Sequence, residues 1–293
     1  MILMFDQASK LREMVAEGEK EKSVSRTKII AVASGKGGVG KSNITVNLGL
    51  ALKKRGQEVL LIDADMGMAN LDILLGLAQK YNLSHILQEK CSFEEALISG
   101  PEGLDILPGT SGVEDFVNIN QKQVGRLLKV ASQMEASYDI ILIDIGAGIH
   151  NSVINFIVGA DEAYIILTPE PTAVMDAYSL VKILSTHQQE NMIGLIINQV
   201  DSSKQARQLG ARMTGVIEEY LSREIEVKGF IPYDPNLRTA VKKQQPLLAL
   251  YPDSKASRAF EELAGEMVEN GDEKPARGTK GFVYRLIGMF NRS

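Results

Sequence analysis

Cysteine is almost absent from this chain of 293 residues, and its scarcity excludes several kinds of site. Cys91 is the only cysteine, so the sequence provides neither an internal disulfide nor a paired-cysteine metal site. A lone cysteine also favours a reducing, cytoplasmic compartment. The three histidines, His85, His150 and His187, are widely separated in the sequence, which argues against a histidine metal centre.

Long apolar runs and excess positive charge are missing as well. No stretch of eighteen or more apolar residues occurs, so the sequence predicts no membrane-spanning helix. The apolar start, Met1 to Phe5, is too short for a cleavable signal peptide and is followed by Asp6. A formal net charge of −5 argues against nonspecific DNA binding as the main task.

A glycine-rich loop carries the strongest chemical signal that is present. Residues Gly35 to Ser42 fit the pattern G-x-x-x-x-G-K-[ST], between an apolar strand and the start of a helix. In such a loop the backbone N–H groups and the lysine hold nucleotide phosphates, and the final hydroxyl binds Mg²⁺. The nucleotide-binding residues predicted here are Gly35, Gly37, Gly38, Val39, Gly40, Lys41, Ser42 and Asn43.

Two apolar strands end in carboxylates that suit a magnesium site. The first ends at Asp63, with Asp65 two residues later, and the second ends at Asp144. Magnesium prefers oxygen ligands and keeps several waters, so one hydroxyl and one or two carboxylates beside the phosphates suffice. The predicted metal residues are Ser42, Asp63, Asp65 and Asp144, with Asp63 holding either the glycine-rich loop or the water shell of the metal.

A second lysine, Lys36, makes the loop similar to the deviant Walker A motif of the MinD/ParA ATPases. This resemblance implies a homodimer formed on ATP, in which Lys36 points across the interface at the phosphates of the other subunit. It also implies that Asp65 lies near the attacking water, so Lys36, Lys41 and Asp65 are the expected catalytic residues. Relatives with an iron–sulfur cluster between subunits need more cysteines than this chain has.

The same resemblance assigns further residues to the nucleotide. Gly146 falls in a segment similar to the mobile switch II of the family, where a glycine N–H contacts a γ-phosphate. Asn198, at the end of an apolar strand, matches the family residue that pairs with the adenine edge, which favours ATP over GTP. Pro232 and Asp234 lie in a stretch that resembles the segment covering the base. The expected cofactors are therefore ATP or ADP with Mg²⁺.

The alternation of apolar strands with helical patterns predicts an α/β fold. Its expected form is a mainly parallel, twisted P-loop NTPase sheet with helices on both faces, in three layers, and with nucleotide at the carboxyl ends of the strands. The predicted strands are 28–34, 58–63, 103–107, 138–144, 162–168, 193–198 and 226–231. The predicted helices include 42–53, 120–135, 172–186 and 254–268.

Charged linkers at 17–27 and 269–280 separate an ATPase domain, 28–268, from two short terminal segments. The first segment, 1–16, matches the DQAxxLR motif of the family branch that regulates flagellar number. In that branch the motif docks on the flagellar signal-recognition-type GTPase and stimulates its GTP hydrolysis. The resemblance implies this GTPase and flagellar basal-body (C-ring) proteins as partners. The matching residues are Asp6, Gln7, Ala8, Leu11 and Arg12.

The second segment, 281–293, has the pattern of an amphipathic helix. Its apolar stripe comprises Phe282, Val283, Leu286, Ile287 and Phe290. It resembles the MinD-type membrane-targeting sequence, which implies binding to anionic lipid. A last helix folded onto the core would show the same stripe, and both interpretations hold if ATP-driven pairing releases a docked helix. Two released helices in a dimer would bind a membrane with avidity.

These features predict a slow, Mg²⁺-dependent ATPase in the cytoplasm that cycles to the inner face of the cell membrane and regulates flagellar number and placement. Three alternatives stay open at this point: a MinD that selects the division site, a ParA-like DNA-segregation ATPase, and a nucleotide-held scaffold whose hydrolysis is incidental. The acidic balance and the membrane-type tail disfavour the DNA-binding alternative.

Overall fold

The computed structural model describes residues 27–65, 71–109, 120–187, 192–269 and 276–290. The strands are β1 (Lys28–Ser34), β2 (Val59–Ala64), β3 (Ile98–Ser99), β4 (Asp105–Pro108), β5 (Ile140–Ala147), β6 (Glu162–Leu167), β7 (Met192–Val200) and β8 (Glu226–Pro232). The helices are α1 (Lys41–Lys54), α2 (Leu71–Leu75), α3 (Leu83–Leu87), α4 (Phe93–Ala96), α5 (Gln121–Ser137), α6 (Asn151–Gly159), α7 (Pro171–Thr186), α8 (Ser203–Leu221), α9 (Asn236–Lys242), α10 (Leu247–Leu250), α11 (Lys255–Glu269) and α12 (Gly278–Phe290).

The described strands form one sheet in the order β3-β4-β2-β5-β1-β6-β7-β8. Neighbouring strands are parallel, except that β3 runs antiparallel to β4. A parallel strand covered on both faces needs a continuous apolar run, and β1, with the sequence KIIAVAS, is buried from its second residue onward. The predicted mainly parallel sheet is confirmed, with β1 near its centre and the glycine-rich loop at its carboxyl end.

Helices cover both faces of the sheet, as expected for three layers. The alternation of side chains along β1 divides the core: Ala31 belongs to one cluster, whereas Val32 belongs to the other. The first cluster contains residues of α5, α6, α7, α8 and α12, and the second contains residues of α1, α10 and α11. The three-layer α/β/α arrangement is therefore confirmed.

The strand boundaries differ from the predicted ones by up to three residues, and two of these differences have a clear local reason. The strand predicted at 103–107 starts at Asp105, because Pro101–Gly103 forms a 3₁₀ turn in which Gly103 has a φ of 75°. The strand predicted to end at Asp144 continues to Ala147, which pairs with Ser34 beyond an irregularity in the β1–β5 register. Gly146 consequently lies within β5, beyond the predicted end of the strand.

The C-terminal helix α12 packs against the domain. Phe282, Leu286 and Ile287 are buried in the cluster that α5 and α6 share with the sheet. The Thr279 hydroxyl donates to the Ala131 carbonyl at 2.6 Å, and Arg285 Nε donates to the Gly159 carbonyl at 2.9 Å. The apolar stripe predicted to bind lipid is thus docked here, and residues 278–280, predicted as linker, form the first turn of the helix.

The N-terminal segment 1–16 and most of the predicted linker 17–27 lie outside the described residues. Within the described ranges, no helix combines the length and the apolar character needed to cross a bilayer.

Candidate functional site

The glycine-rich loop follows β1 directly and leads into α1. Gly40 caps α1 with a φ of 91°, a left-handed conformation that favours glycine. A Cβ at Gly40 would lie 2.5 Å from Asn198 Nδ2, and one at Gly35 would lie 2.3 Å from the Asp176 carbonyl oxygen. The structure therefore brings the loop into contact with β7 and α7 at positions where no side chain fits.

Lys41 and Asp144 form a buried ion pair beneath the loop. Lys41 Nζ lies 2.6 Å from Asp144 Oδ1, and both side chains are buried. The Thr45 hydroxyl donates to the Lys41 carbonyl at 3.1 Å and lies 3.3 Å from the same Asp144 oxygen. Sequence reasoning missed Thr45, although its position four residues after Lys41 puts it on the same face of α1.

The carboxylates fit the predicted magnesium site, with different roles. Asp63 and Asp144 are direct neighbours in the β2–β5 register, as expected for adjacent strand ends. Asp144 Oδ2 is buried without a hydrogen-bond partner, so it retains the capacity to accept from a metal-bound water. Both Asp63 oxygens accept backbone N–H groups, from Asp65 and Leu71, each at 3.1 Å. Asp63 therefore binds the backbone on both sides of residues 66–70, and its predicted role at the glycine-rich loop or at the metal stays a prediction.

No group of three or more histidine, cysteine, aspartate or glutamate residues in the described ranges could hold a metal ion alone. Mg²⁺ would be bound through Ser42, one carboxylate, waters and phosphate oxygens. Asp144 is the carboxylate that the geometry favours. The assignment of Asp65 to the metal stays a prediction.

The segment after Asp144 lies beside Asp65 and the loop. A Cβ at Gly146 would lie 3.3 Å from Asp65 Oδ1, so the strand and this carboxylate are in close contact. The N–H of Gly148 donates to the Ser34 carbonyl at 2.9 Å, which ties the end of β5 to the start of the loop. The structure thus brings Asp65 and Gly146 together where the sequence predicted the reacting end of the nucleotide.

A cavity of about 150 Å³ adjoins the loop. It brings together four residues predicted to bind the nucleotide, namely Asn43, Asn198, Pro232 and Asp234. Tyr233, which belongs to the same predicted stretch as Pro232 and Asp234, and Arg238 also line it. Sequence reasoning missed Arg238, because its position on α9 carries no recognisable pattern.

Asn198 is buried and holds the loop in place. Its Nδ2 donates to the Val39 carbonyl at 2.7 Å, and its Oδ1 accepts from the Gln199 N–H at 2.9 Å. A side-chain amide has two N–H groups and two acceptor sites, so these bonds leave capacity for one further contact of each kind. Pairing of Asn198 with adenine stays a prediction.

Asp234 caps two helices at the wall of the cavity. Burial raises the pKa of Asp234, but hydrogen bonds from the Ser254 hydroxyl and from the N–H groups of Asn236 and Ala256 outweigh it and hold the pKa below its ordinary value. The ionised carboxylate therefore fixes the starts of α9 and α11. This geometry favours a positioning role for Asp234 over a direct contact with the base.

Lys36 is held within its own chain. Its Nζ lies 2.7 Å from Glu170 Oε2 and 2.8 Å from the Thr172 hydroxyl, at the start of α7. Neither partner was predicted from the sequence, since both lie more than 130 positions from Lys36.

Comparisons with known proteins agree with this geometry. Residues 30–247 match the family model described as the CobQ/CobB/MinD/ParA nucleotide binding domain. The antiactivator FleN of Pseudomonas aeruginosa is 38% identical over 266 residues, which span 90% of this chain and 95% of FleN. The flagellum site-determining protein YlxH of Helicobacter pylori is 35% identical over 266 residues, spanning 89% of this chain and 90% of YlxH. The structure of septum site-determining MinD from Pyrococcus horikoshii with Mg-ADP superposes with a TM-score of 0.65 and 28% identity, covering 83% of this chain and 96% of that one.

Proposed function

Because this chain belongs to the CobQ/CobB/MinD/ParA family of nucleotide binding domains, we propose that it is a slow, Mg²⁺-dependent ATPase that forms a homodimer on ATP and regulates flagellar number and placement. One observation carries the ATPase proposal: a single glycine-rich loop holds Lys41 against the buried Asp144 while presenting Lys36 on its open side. In a dimer, Lys41 of one subunit and Lys36 of the other would supply cations on both sides of one triphosphate.

The residues of the site have different expected roles in ATP hydrolysis. Lys41 and the loop N–H groups bind phosphate oxygens, and Ser42 with Asp144 would hold Mg²⁺, which would neutralise the charge that develops on the transferred phosphoryl group. Asp65, beside Gly146, is placed to orient the attacking water. Lys36 is expected to act in the second subunit, on the same charge.

Asp65→Ala tests this division of roles. Loss of a group that orients or deprotonates water lowers the rate of such reactions by about 100-fold or more, so the variant should bind ATP and accumulate as a dimer. Phosphate release and light scattering with ATP and Mg²⁺ measure both effects. An Asp65→Ala protein that binds ATP but stays monomeric contradicts the proposal, and Lys41→Ala, which should not bind ATP, is the control.

The proposed regulation of flagellar number is supported by similarity to flagellar proteins over nearly the whole chain. FleN is named as an antiactivator and YlxH as a flagellum site-determining protein, and the chain spans at least nine-tenths of both. This supports the branch of flagellar number regulators, FlhG (YlxH), that the motif at residues 6–12 suggested. Deletion of the gene should change flagellar number, and complementation by Asp65→Ala should not restore it.

For the N-terminal segment we propose docking on the flagellar signal-recognition-type GTPase. The residues that carry this proposal are Asp6, Gln7, Ala8, Leu11 and Arg12. A protein lacking residues 1–16 should lose capture of that GTPase and stimulation of its GTP hydrolysis, while it retains its own ATP-dependent dimer. If the shortened protein still captures the GTPase, the GTPase contacts another part of the chain or is held indirectly, for example through a C-ring protein.

Helix α12 is proposed as the membrane-binding element, released when ATP drives pairing. Its docked apolar face supports a cycle between protein and lipid, since one stripe cannot contact both. This cycle would place the protein in the cytoplasm and, on ATP, at the inner face of the membrane. Removal of residues 281–293 would expose a core groove as well as remove the helix, so release of docked α12 is the cleaner test.

A division-site MinD is the second candidate, favoured by the likeness to MinD of Pyrococcus horikoshii. The same nucleotide site would serve flagellar regulation or division-site selection. The binding partners of the protein therefore distinguish the two functions. Capture of a division inhibitor, without capture of the flagellar GTPase, would favour this candidate. A gel shift whose DNA affinity falls steeply with salt would instead favour the ParA-like alternative.

A further inference from the structure

Helix α9 ends in a tight turn in which a glutamine takes a position that glycine commonly occupies. The N–H of Gln244 donates to the Val241 carbonyl at 3.0 Å, and the N–H of Gln245 donates to the Ala240 carbonyl at 3.1 Å. These two bonds form a Schellman motif, whose left-handed residue is usually glycine. Here that residue is Gln244, with a φ of 53°. A left-handed conformation strains a residue that has a side chain, so the side chain of Gln244 is a candidate for a functional contact.

The side chain of Gln244 contacts the end of α2. Its Nε2 donates to the Ile73 carbonyl at 2.8 Å. The Gly76 N–H donates to the same carbonyl at 3.3 Å, and the Leu77 N–H donates to the Asp72 carbonyl at 2.9 Å, so α2 ends in the same kind of turn. A Cβ at Gly76 would lie 2.9 Å from Gln244 Oε1. The ends of the two helices are therefore in direct contact, and the amide of Gln244 joins them.

The start of α2 is held beside Asp65. Asp63 Oδ2 accepts the N–H of Leu71, the first residue of α2, and Asp63 Oδ1 accepts the N–H of Asp65, each at 3.1 Å. One carboxylate thus fixes Asp65 and the start of α2 relative to each other. Because α2 has five residues, it is only about 8 Å long, and a shift of its end also moves its start. The position of Ile73 therefore affects the position of Asp65.

Helix α9 is a firm support for this contact. Its start is fixed by Asp234, which accepts the N–H of Asn236 at 3.0 Å, and Ala240 within it is fully buried. Helix α2 is held less tightly, because only its first and last residues are buried and Ile73 between them is 66% exposed. The amide of Gln244 therefore ties a weakly held helix to a fixed one.

We propose that Gln244 is a positioning residue for ATP hydrolysis. It fixes α2, and through α2 and Asp63 it keeps Asp65 where this carboxylate orients the attacking water. Because Gln244 acts through α2, its loss slows the chemical step and leaves ATP binding by the glycine-rich loop unchanged. This inference rests on the proposed function, because it requires that Asp65 acts in hydrolysis.

Gln244→Met tests the proposal, with Gln245→Met as a matched control. Methionine is similar in length and also uncharged, but it donates no hydrogen bond to the Ile73 carbonyl. The loss of one such bond shifts an equilibrium by about two- to tenfold, so Gln244→Met should lower kcat by about that factor and leave KM for ATP unchanged. Phosphate release with Mg²⁺, at a protein concentration that saturates the dimer, measures both. Gln245→Met makes the same change at the next exposed residue and should match the unsubstituted chain.

Two further variants separate positioning from a general loss of stability. Gln244→Lys keeps a donor that can reach the Ile73 carbonyl, so it should recover most of the kcat that Gln244→Met loses. Gln244→Gly removes the contact and the left-handed strain together. Its thermal midpoint should be unchanged or higher, because the relief of strain offsets the lost bond, whereas its kcat should fall as in Gln244→Met.

The outcomes separate this inference from the proposed function. If the unsubstituted chain releases no phosphate from ATP, the proposed function fails, and the inference fails with it. If the unsubstituted chain hydrolyses ATP and Gln244→Met keeps the same kcat, or changes only KM, the inference alone is overturned. An equal loss of kcat in Gln245→Met or Gln244→Lys, or an undiminished kcat in Gln244→Gly, overturns it as well.

Discussion

Lys41 Nζ lies 2.6 Å from Asp144 Oδ1, while the other oxygen of Asp144 is buried without a partner. The lysine that should bind phosphate is therefore also the cation that pairs with the acid that should serve the metal. Entry of a nucleotide with Mg²⁺ would replace this one ion pair by two, lysine with phosphate and carboxylate with the metal and its waters. The site is thus prepared for both ligands together.

Replacement of Lys41 should affect stability as well as nucleotide binding. Lys41→Ala leaves Asp144 as a buried, uncompensated charge, which should lower the free energy of unfolding by about 3 kcal/mol. Adding Asp144→Asn removes that charge and should recover part of the loss. Urea unfolding without nucleotide measures both, and losses that simply add in the double variant would contradict the coupling.

The two glycines that flank Lys36 should differ in their tolerance of a methyl group. A Cβ at Gly35 meets the Asp176 carbonyl, whereas one at Gly37 meets nothing within 4 Å. Gly35→Ala should lower the free energy of unfolding by about 1–3 kcal/mol, through displacement of α7, and Gly37→Ala by less than about 0.5 kcal/mol. Thermal unfolding without nucleotide compares them, and equal losses would mean that α7 moves freely.

Release of α12 can be tested without any change in its own sequence. A Cβ at Gly159, the last residue of α6, would lie 3.1 Å from the Phe282 ring, and a leucine would extend further. Such overpacking costs about 1–3 kcal/mol, so Gly159→Leu should shift α12 towards the undocked state by fivefold or more. Co-sedimentation with anionic vesicles in the absence of ATP should increase accordingly.

Gly125→Leu is the control for this experiment. Gly125 lies on α5, is exposed, and has nothing within 4 Å of a Cβ, so its replacement should leave vesicle binding unchanged. If Gly159→Leu undocks α12, as judged by protease cleavage within it, and vesicle binding does not increase, α12 is a structural helix only.

Docking of α12 should also depend on pH through Asp161. Burial raises the pKa of Asp161, although the N–H groups of Ile29 and Arg277 and the charge of Arg285 oppose the rise. A raised pKa means that the folded state binds the proton more tightly, so the contribution of this group to stability is fully present below the ordinary pKa of 3.8 and is lost as the pH rises through the raised value.

Asp161→Asn should remove this dependence. Its amide oxygen can accept only from one side, so one backbone N–H loses its acceptor, at a cost of about 1–3 kcal/mol. The advantage of the unsubstituted chain over the variant in free energy of unfolding should be largest in acid and should decrease towards neutral pH. Urea unfolding across that range measures it, and an advantage that grows with pH would show that the pKa is lowered.

The sheet and most of its strands followed from the sequence, because a strand buried on both faces must be a continuous apolar run. The run that forms β1 is buried almost throughout, as predicted. The end of β5 was not predictable in the same way. Gly146 and Ala147 look like a loop after Asp144, yet pairing with Ser34 on β1 extends the strand through them.

The amphipathic stripe of α12 is a second feature that the sequence predicts only in part. The helical spacing of Phe282, Leu286 and Ile287 predicts from the sequence alone that they share one face. Whether that face contacts lipid or the core depends on the groove between α5 and α6, which is built from residues more than 120 positions away.

The phosphate-binding loop could be identified without the fold, since glycines that turn the backbone, a following lysine and a hydroxyl are all within eight adjacent residues. The partners of the charged side chains in that loop depend instead on the arrangement of the strands. Lys41 pairs with Asp144 across 103 positions and Lys36 with Glu170 across 134. These pairs exist because the strand order places β5 and β6 on either side of β1, and no local pattern encodes the order of strands in a sheet.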